Sequence, residues 1–245
     1  MKFKNKNILI IGGDSDIAWS LIIDFIKLGS NINFTSRNEQ KIASLQKKIM
    51  DNFNIQCEGY CLDITDYGNH QLFWNNLEVT PDIVITCVGY LGKPSLEQNI
   101  DTLKTIKTNY IGLICLLNII SNDFESRKSG IIVGISSVAG ERGRESNFIY
   151  GSAKSGLTTY LSGLRNRLYK NNVHVITVLP GPVRTKMTKG KKISNLLSTS
   201  SGVVSSYIIK GIKNKKNIIY VKWYWKFLML IIKIIPESIF KRLSL

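Results

Sequence analysis

The sequence predicts an α/β fold: a doubly wound parallel sheet with helices on both faces, followed by an apolar and basic C-terminal helical segment. Short runs rich in Ile and Val alternate with longer stretches of helical length, and this alternation is typical of parallel strands joined by crossover helices. No repeat or low-complexity tract interrupts the alternation. With 245 residues, the chain can bury the core of one such domain.

Five runs are predicted to be buried strands, because each is short, β-branched and bounded by Gly, Asn, Pro or charged residues. They occupy residues 8–11, 32–35, 83–87, 131–135 and 173–178. Four segments have helical length: 17–28, 39–52, 102–122 and 150–170. We assign residues 1–217 to the main domain and residues 218–245 to a terminal segment that either packs on it or lies at a membrane interface.

Positive charge is concentrated near the C-terminus. Residues 184–245 carry fourteen Lys or Arg and one acidic residue, whereas residues 1–183 carry nineteen basic and sixteen acidic residues. Such a concentration beside apolar sequence indicates an anionic membrane surface or a phosphate-bearing substrate. No helix-turn-helix, zinc or aromatic-basic signature is present, which argues against nucleic acid as a partner.

The cysteines indicate a reducing compartment. Cys57, Cys61, Cys87 and Cys115 form no Cys-x-x-Cys pair and have no nearby histidines, so we expect free thiols and no metal site. The basic N-terminus passes at once into a short apolar run, without the longer apolar region of a signal peptide. We therefore expect a cytoplasmic location, which includes the inner face of the cell membrane if the terminal segment binds lipid.

A glycine-containing turn follows the first predicted strand and opens the first helix. Residues 12–18 read Gly-Gly-Asp-Ser-Asp-Ile-Ala. Ligands of such sheets bind beyond the carboxyl ends of the strands, where backbone amides and the helix dipole attract phosphate. Asp16 and Ala18 replace glycines of the strict dinucleotide fingerprint, and a carboxylate near phosphates is unfavourable unless it caps the helix. An ordinary strand-to-helix turn is the alternative.

The second predicted strand leads to Arg37, without the acidic residue that binds both ribose hydroxyls of NAD. Arg37 can instead pair with a 2′-phosphate, which favours NADP(H) over NAD(H). Asp63 follows another short run and would lie near an adenine. For both residues, a solvated loop or turn position is the alternative.

Tyr150 and Lys154 are four residues apart in a predicted helix and therefore share one face. A lysine cation beside a phenol makes the tyrosine a better acid near neutral pH, as protonation of an alkoxide requires. Ser136 and Ser137 follow an upstream strand and offer a hydroxyl for a substrate oxygen. Alternation along the strand sends the two hydroxyls to opposite faces, so only one of them can face the substrate.

Together, these landmarks resemble the short-chain dehydrogenase/reductase family over residues 6–188. The order and spacing of the following positions carry the resemblance: Gly12 to Ala18, Asp63, Gly89, Asn109, Ser137, Tyr150, Lys154 and the stretch from Pro180 to Thr185. The resemblance implies a Rossmann-like sheet and hydride transfer at a nicotinamide carbon, coupled to protonation of an alkoxide. One departure is Thr-Cys-Val-Gly at residues 86–89, where the family usually has Asn-Asn-Ala-Gly.

The resemblance also implies a role for each catalytic residue. Tyr150 is expected to be the general acid or base, Lys154 to lower its pKa and hold the nicotinamide ribose, and Ser137 to bind the reacting carbonyl. Asn109 is expected to bend its helix and support a water-linked proton relay through Lys154. The expected cofactor contacts are Gly12, Ser15, Asp16, Ile17, Arg37, Asp63, Gly89, Tyr150, Lys154, Pro180, Val183 and Thr185.

Two basic stretches follow these landmarks. Residues 186–193 are polar and lie where the family commonly keeps a substrate lid, so their lysines could either meet an anionic substrate or remain solvated. The terminal segment is too short and interrupted to span a bilayer, which takes about 20 apolar residues. On a helix, Lys222, Lys226 and Lys233 fall on one side, as in a helix that lies in a membrane interface. The opposite arc contains Trp223, Trp225 and Phe227.

Residues 12–18, 89–92 and 235–240 are similar to one subgroup of the family, that of the reductase partner of decaprenylphosphoryl-ribose 2′-epimerisation. This similarity implies a lipid-linked substrate: a keto-sugar on a polyprenyl-phosphate carrier, reduced during cell-envelope polysaccharide biosynthesis. A lipid ketone, such as a 3-oxoacyl chain or a sterol-like molecule, is an alternative small-molecule substrate. A non-catalytic dinucleotide sensor is a further alternative. We expect a homodimer or homotetramer.

Overall fold

The computed structural model of the chain describes residues 2–92, 99–190 and 194–243. Within these ranges the strands are β1 (Asn7–Ile11), β2 (Asn31–Ser36), β3 (Gly59–Cys61), β4 (Ile83–Thr86), β5 (Gly130–Ile135), β6 (Val173–Pro180), β7 (Val183–Arg184), β8 (Thr199–Ser200) and β9 (Ile218–Val221). The α-helices of the same ranges are α1 (Asp16–Lys27), α2 (Glu39–Phe53), α3 (His70–Asn75), α4 (Asn99–Ile106), α5 (Gly112–Arg127), α6 (Phe148–Leu168), α7 (Ser201–Lys213), α8 (Tyr224–Ile234) and α9 (Glu237–Phe240).

Most of these strands form one parallel sheet, in the order β3-β2-β1-β4-β5-β6-β9. The short strands β7 and β8 pair with each other outside it. The helices between consecutive strands cover both faces of the sheet. The predicted doubly wound, Rossmann-like α/β fold is therefore confirmed, and all five predicted strands are present.

The core has two layers because side chains alternate along each strand. Ile8 and Ile10 of β1 pack with α1, α2 and α7 on one face of the sheet, whereas Leu9 and Ile11 pack with α3, α5 and α6 on the other. All four side chains are buried. Each such burial contributes about 1.5–3 kcal/mol, which fixes the strand register and so places the strand ends at one edge.

The helix predicted at residues 102–122 contains a change in helix type in its first half. A π-helical turn, Lys107–Ile111, joins α4 to α5 and contains Asn109. By length and composition alone, residues 100–127 could cross a membrane. Leu113, Leu117 and Phe124 of α5 are nevertheless buried against the sheet, as expected of a core helix.

The domain boundary predicted at residue 217 does not mark the end of the fold. Residues 218–221 are β9, which pairs with the end of β6 and extends the main sheet. α8 follows and packs Trp225, Met229 and Ile232 into a third apolar cluster with Val138 and Leu179. The C-terminal part of the chain is thus continuous with the main domain through residue 234.

Two details of the predicted amphipathic tail are wrong. Lys222 directly follows β9 and precedes α8, so it does not share a helical face with Lys226 and Lys233. Trp225 is buried and not part of an exposed aromatic arc, whereas Trp223 and Phe227 are exposed. The pairing of β9 sets the helix start later than periodicity alone suggests.

Candidate active site

The carboxyl ends of β1, β4, β5 and β6 surround one cavity of about 510 Å³. A second cavity of about 260 Å³ lies at the ends of β1, β2 and β3. The two adjoin, because Asp14, Ser15, Cys87, Val88 and Gly89 line both. The sheet therefore provides one elongated cleft at the edge where open parallel sheets bind ligands. Among the described residues, no group of three His, Cys, Asp or Glu could hold a metal ion.

The glycine turn after β1 gives the cleft its floor. Gly12 has a φ of +85°, and a Cβ there would lie 2.9 Å from Val88 Cγ2. A Cβ on Gly13 would lie 2.7 Å from the Phe34 ring. The Ser15 hydroxyl accepts a hydrogen bond from Ala18 N at 3.2 Å and so caps α1. This turn brings backbone close to the cleft at the positive end of a helix dipole, as phosphate binding requires.

Asp16 faces the lid instead of the cleft floor. Its Oδ2 accepts a hydrogen bond from Lys186 N at 2.6 Å, and Lys186 Nζ lies 3.9 Å from Oδ1. Asp14 forms an ion pair with Lys41 Nζ at 2.8 Å. Ser15, and not Asp16, caps the helix, and the Asp16 carboxylate ties the segment after β7 to the start of α1. Both carboxylates near the predicted phosphate position therefore have a lysine partner within the protein.

The second cavity contains Arg37 and Asp63, as well as Gly12 and Gly89. Asp63 accepts hydrogen bonds from Thr65 N at 2.8 Å and from the Thr65 hydroxyl at 2.7 Å. Partial burial acts to raise the pKa of Asp63, but these hydrogen bonds and the positive charge of Arg37 hold that pKa below its usual value. Arg37 and Asp63 thus lie together at the end of the cleft beyond β2 and β3.

The two serines after β5 have different partners. The Ser136 hydroxyl donates to Lys154 O at 2.8 Å and lies 2.7 Å from Thr158 Oγ1, so it holds α6 against the end of β5. The Ser137 hydroxyl accepts from Ala139 N at 3.1 Å and hydrogen-bonds with the Tyr150 side chain. Ser137 is therefore the hydroxyl next to the phenol at the cavity wall.

Tyr150 and Lys154 lie one turn apart on α6, as their spacing predicts. Lys154 Nζ donates to Ile135 O at 3.0 Å and lies 5.8 Å from the centre of the Tyr150 ring. Burial raises the pKa of Tyr150 to about 12, although the hydrogen bond with Ser137 acts to lower it. Burial lowers the pKa of Lys154 to about 8. Desolvation of the phenol outweighs the causes that would lower its pKa in this geometry, and the expected acidifying role of Lys154 stays a prediction.

Asn109 clamps the loop after β4. Its Oδ1 accepts from Tyr90 N at 3.0 Å, and its Nδ2 donates to Tyr90 O at 2.6 Å and to Thr105 O at 2.8 Å. The bond to Thr105 O lies within the helix that the π turn distorts. In the described part of the chain, no direct hydrogen bond joins Asn109 to Lys154. The side chain thus holds the backbone next to Gly89 in place.

The remaining predicted contacts line the larger cavity at the end of β6. Pro180, Val183 and Thr185 are part of its wall, together with Ile17 on the opposite side. Thr188 closes the short turn that follows, since its hydroxyl donates to Val183 O at 2.7 Å. Within the predicted lid, residues 191–193 lie outside the described residues.

Arg144 and Trp225 line the larger cavity although the sequence did not predict either of them there. Arg144 lies in the loop between β5 and α6, and Trp225 enters the wall from α8. A Cβ on Gly181 would lie 2.2 Å from the Trp225 indole, so that glycine makes room for the ring. The signal for Arg144 was its place between Ser137 and Tyr150, because the whole loop must lie at the carboxyl edge of the sheet.

A family model described as short chain dehydrogenase matches residues 6–195. The chain belongs to the short-chain dehydrogenase family. An uncharacterized oxidoreductase of Streptomyces coelicolor is 24% identical over 97% of this chain and 96% of its own length. The 3-oxoacyl-[acyl-carrier-protein] reductase FabG of Chlamydia muridarum is 24% identical over 76% of this chain and 77% of its own length. The structure of a short chain dehydrogenase from Burkholderia cenocepacia in complex with NADP superimposes with a TM-score of 0.84 at 16% identity, covering 100% of both chains.

Proposed function

We propose that this oxidoreductase is an NADPH-dependent reductase of ketones. The observation that carries the proposal is the meeting of Ser137, Tyr150 and Lys154 at the wall of a cavity whose floor is the glycine turn. A proton donor and a dinucleotide cradle in one cleft suit hydride transfer coupled to proton transfer. A non-catalytic sensor would need the cradle alone.

The cleft fits a dinucleotide by its own geometry. Gly12 and Gly13 pack so closely against Val88 and Phe34 that neither position has room for a Cβ, and this tight turn leads directly into the N-terminus of α1. Arg37, at the far end beside Asp63, is suited to the 2′-phosphate of NADP(H), which makes NAD(H) the weaker candidate. The Burkholderia relative, described as a complex with NADP, supports this choice.

The chain's own residues would handle the proton and the carbonyl oxygen. NADPH, when bound, supplies the hydride. Tyr150 remains protonated at neutral pH because its pKa is about 12, and it can donate to the more basic alkoxide oxygen. Ser137, hydrogen-bonded to Tyr150, would donate to the same oxygen. Lys154 is mostly protonated at pH 7, since its pKa is about 8, and its charge would stabilise the resulting tyrosinate. We assign Asn109 a positioning role, with a water linking it to Lys154.

For the substrate, we propose a keto-sugar on a polyprenyl-phosphate carrier, used in cell-envelope biosynthesis. The basic segment after β7 and the exposed apolar side of α8 support a lipid-linked anion. A 3-oxoacyl or other lipid ketone is the second candidate, supported by the FabG relative and by the mostly apolar cavity wall.

We further propose that α8 holds the protein at the cytoplasmic face of an anionic membrane. One side of α8 is buried, but large apolar side chains on its other side, namely Phe227, Leu230, Ile231 and Ile234, are exposed, as is Trp223 directly before the helix. Lys226 and Lys233 flank them and could reach lipid headgroups. A homodimer or homotetramer is the assembly we propose, on the basis of the family.

The reaction is tested with NADPH that carries deuterium at the reactive nicotinamide carbon. Lipid extracts and defined ketones are offered, and the products are analysed by mass spectrometry. The proposal expects one deuterium on the new carbinol carbon, with one NADPH consumed per alcohol formed. NADPH binding without turnover of any offered ketone, including extracts of the native membrane, would favour the sensor instead.

A further inference from the structure

Six charged side chains line the larger cavity, and they differ in whether they have a charged or polar partner in the protein. They are Asp14, Asp16, Lys41, Arg144, Lys154 and Lys186. Asp14 pairs with Lys41, and Asp16 pairs with Lys186. The Lys154 ammonium donates to the Ile135 carbonyl. Among the described residues, Arg144 alone of the six has no ion pair or side-chain hydrogen bond, and its Nε is buried without an acceptor.

The Arg144 side chain is half-buried, and its Nε–H is the buried donor that lacks an acceptor among the residues described. A buried polar donor without a partner destabilises the folded protein, and it does so more strongly when the group is charged. Burial lowers the pKa of Arg144, which shows that the surrounding protein disfavours the charge. Buried donors in native structures nearly always have a partner, and in a cavity wall a bound ligand can be that partner. Lys186, by contrast, has a side chain that is 85% exposed, so water satisfies its ammonium.

A second unsatisfied atom lies in the same turn. Asn147 Oδ1 is buried without a donor, and Asn147 also lines the cavity. Asn147 N donates to Arg144 O at 3.0 Å, so the two residues close one turn directly before α6. This turn leads into the helix that carries Tyr150. The cavity thus has a cationic donor and a neutral acceptor together, beside the proposed proton donor.

We propose that Arg144 binds an oxyanion of the ketone substrate, a carboxylate or a phosphate, and that the protein selects ketones that carry negative charge. This inference rests on the proposed reductase function. A guanidinium offers two parallel donors to either group, which gives orientation as well as affinity. Asn147 Oδ1 accepts a hydrogen bond from a hydroxyl next to that oxyanion. The charge then positions the carbonyl at Ser137 and Tyr150.

Binding without cofactor tests the inference separately from turnover. Calorimetry compares para-acetylbenzoate, para-acetylphenyl phosphate and the neutral methyl para-acetylbenzoate. The wild-type protein is expected to bind at least one anion on the order of 10- to 100-fold more tightly than the ester, the range for hydrogen bonds to charged groups. Which anion binds more tightly distinguishes a carboxylate site from a phosphate site.

Arg144→Met is expected to abolish the preference for anions and Arg144→Lys to keep part of it. Arg167→Met is the matched control: it removes the same charge from the outer side of α6, where Arg167 pairs with Glu125. Equal wild-type affinity for all three ketones, or an anion preference that survives in Arg144→Met, would overturn the inference. So would an Arg144→Met protein that loses NADPH affinity by more than tenfold, since Arg144 would then serve the cofactor.

The same samples are then given NADPH, and its consumption is followed. Charge-selective binding without consumption of NADPH by any ketone would leave the Arg144 site in place and count against the reductase proposal. Reduction of neutral and anionic ketones at equal kcat/KM would support the reductase proposal and overturn the role of Arg144.

Discussion

The two ends of the cleft differ in how their polar groups are satisfied. At the glycine turn, Asp14 and Asp16 are paired with lysines, and Ser15 caps α1. In the turn before α6, Arg144 Nε and Asn147 Oδ1 are buried without partners. The charged side chains at the first end are paired within the protein, which suits a constant cofactor that is bound largely by backbone. The second end holds polar groups without partners in the part of the protein that the structure describes, and we expect these groups to select the substrate.

Gly12→Ala should distort the glycine turn and have the largest effect on cofactor binding. The positive φ and the 2.9 Å approach to Val88 Cγ2 leave no room for a methyl group. We expect the free energy of unfolding to fall by about 1–3 kcal/mol and NADPH affinity to fall more than tenfold. Denaturant unfolding and NADPH fluorescence titration measure the two effects.

Gly163→Ala provides the control, because Gly163 lies exposed within α6 and an added methyl group there would meet no other atom within 4 Å. It should stabilise the protein by about 0.5–1 kcal/mol through helix propensity and leave NADPH affinity unchanged. If both variants bound NADPH like the wild type, the glycine turn would not be the cofactor cradle.

Arg37→Ala should distinguish the binding of NADP(H) from the binding of NAD(H). Loss of a charge-assisted hydrogen bond to the 2′-phosphate should weaken NADPH binding on the order of 10- to 100-fold. NADH affinity should remain within about twofold, because NADH lacks that phosphate. Parallel titrations of both cofactors check this. A variant in which both affinities fall equally would mean that Arg37 does not recognise the 2′-phosphate.

The pH profile tests Lys154, which lies between the two ends. Its pKa is lowered to about 8, so above pH 8 the folded protein loses the charge that would stabilise tyrosinate. The unfolded chain keeps that proton up to about pH 10.5, so the contribution of Lys154 to folding stability rises with pH between 8 and 10.5. The rate of ketone reduction should therefore fall on the order of tenfold between pH 8 and pH 9–10. The contribution of Lys154 to the free energy of unfolding should not fall over the same range.

Steady-state rates and thermal unfolding over the same pH range separate the two effects. Lys154→Arg should move the fall in rate to higher pH, because a guanidinium keeps its proton. A reduction rate that stays constant from pH 7 to pH 10 in the wild type would exclude an electrostatic role for the Lys154 ammonium.

Removal of exposed apolar side chains from α8 should have the smallest effect of these changes. It should alter only the binding of the protein to lipid vesicles. Leu230 and Ile231 are each 57% exposed, and their double replacement by Ser should weaken binding to anionic vesicles on the order of tenfold. Leu72→Ser with Leu103→Ser is the matched control, since these residues are 58% and 55% exposed on other helices. Equal sedimentation of both variants with vesicles would assign the α8 surface to another partner.

The central strands and the order of the motifs could be predicted from sequence, because strands buried on both faces are uninterrupted runs of Ile and Val. β3 has three residues and partly exposed positions, so it leaves almost no apolar pattern. β9 follows a lysine-rich turn and joins the sheet only by pairing with the distant β6. Pattern alone cannot reveal such a pairing, and it therefore placed the domain boundary at residue 217.

The side-chain chemistry of the site was less predictable than its position. The spacing of Tyr150 and Lys154 places them on one face of α6. It does not predict where the Lys154 ammonium points, because that depends on its hydrogen bond to the Ile135 carbonyl. The link between Asp16 and Lys186 joins residues 170 positions apart. The significance of Arg144 depends on the pairing of every other charge in the cavity, which only coordinates reveal.

Replacement of the Tyr150 phenol tests the central claim most directly. Tyr150→Phe keeps the ring and removes the proton donor. We expect kcat for ketone reduction to fall by on the order of 10²- to 10⁴-fold, the usual contribution of general acid catalysis, while NADPH affinity stays within about twofold of the wild-type value. A Tyr150→Phe protein that reduces its ketone at the wild-type rate would contradict the account.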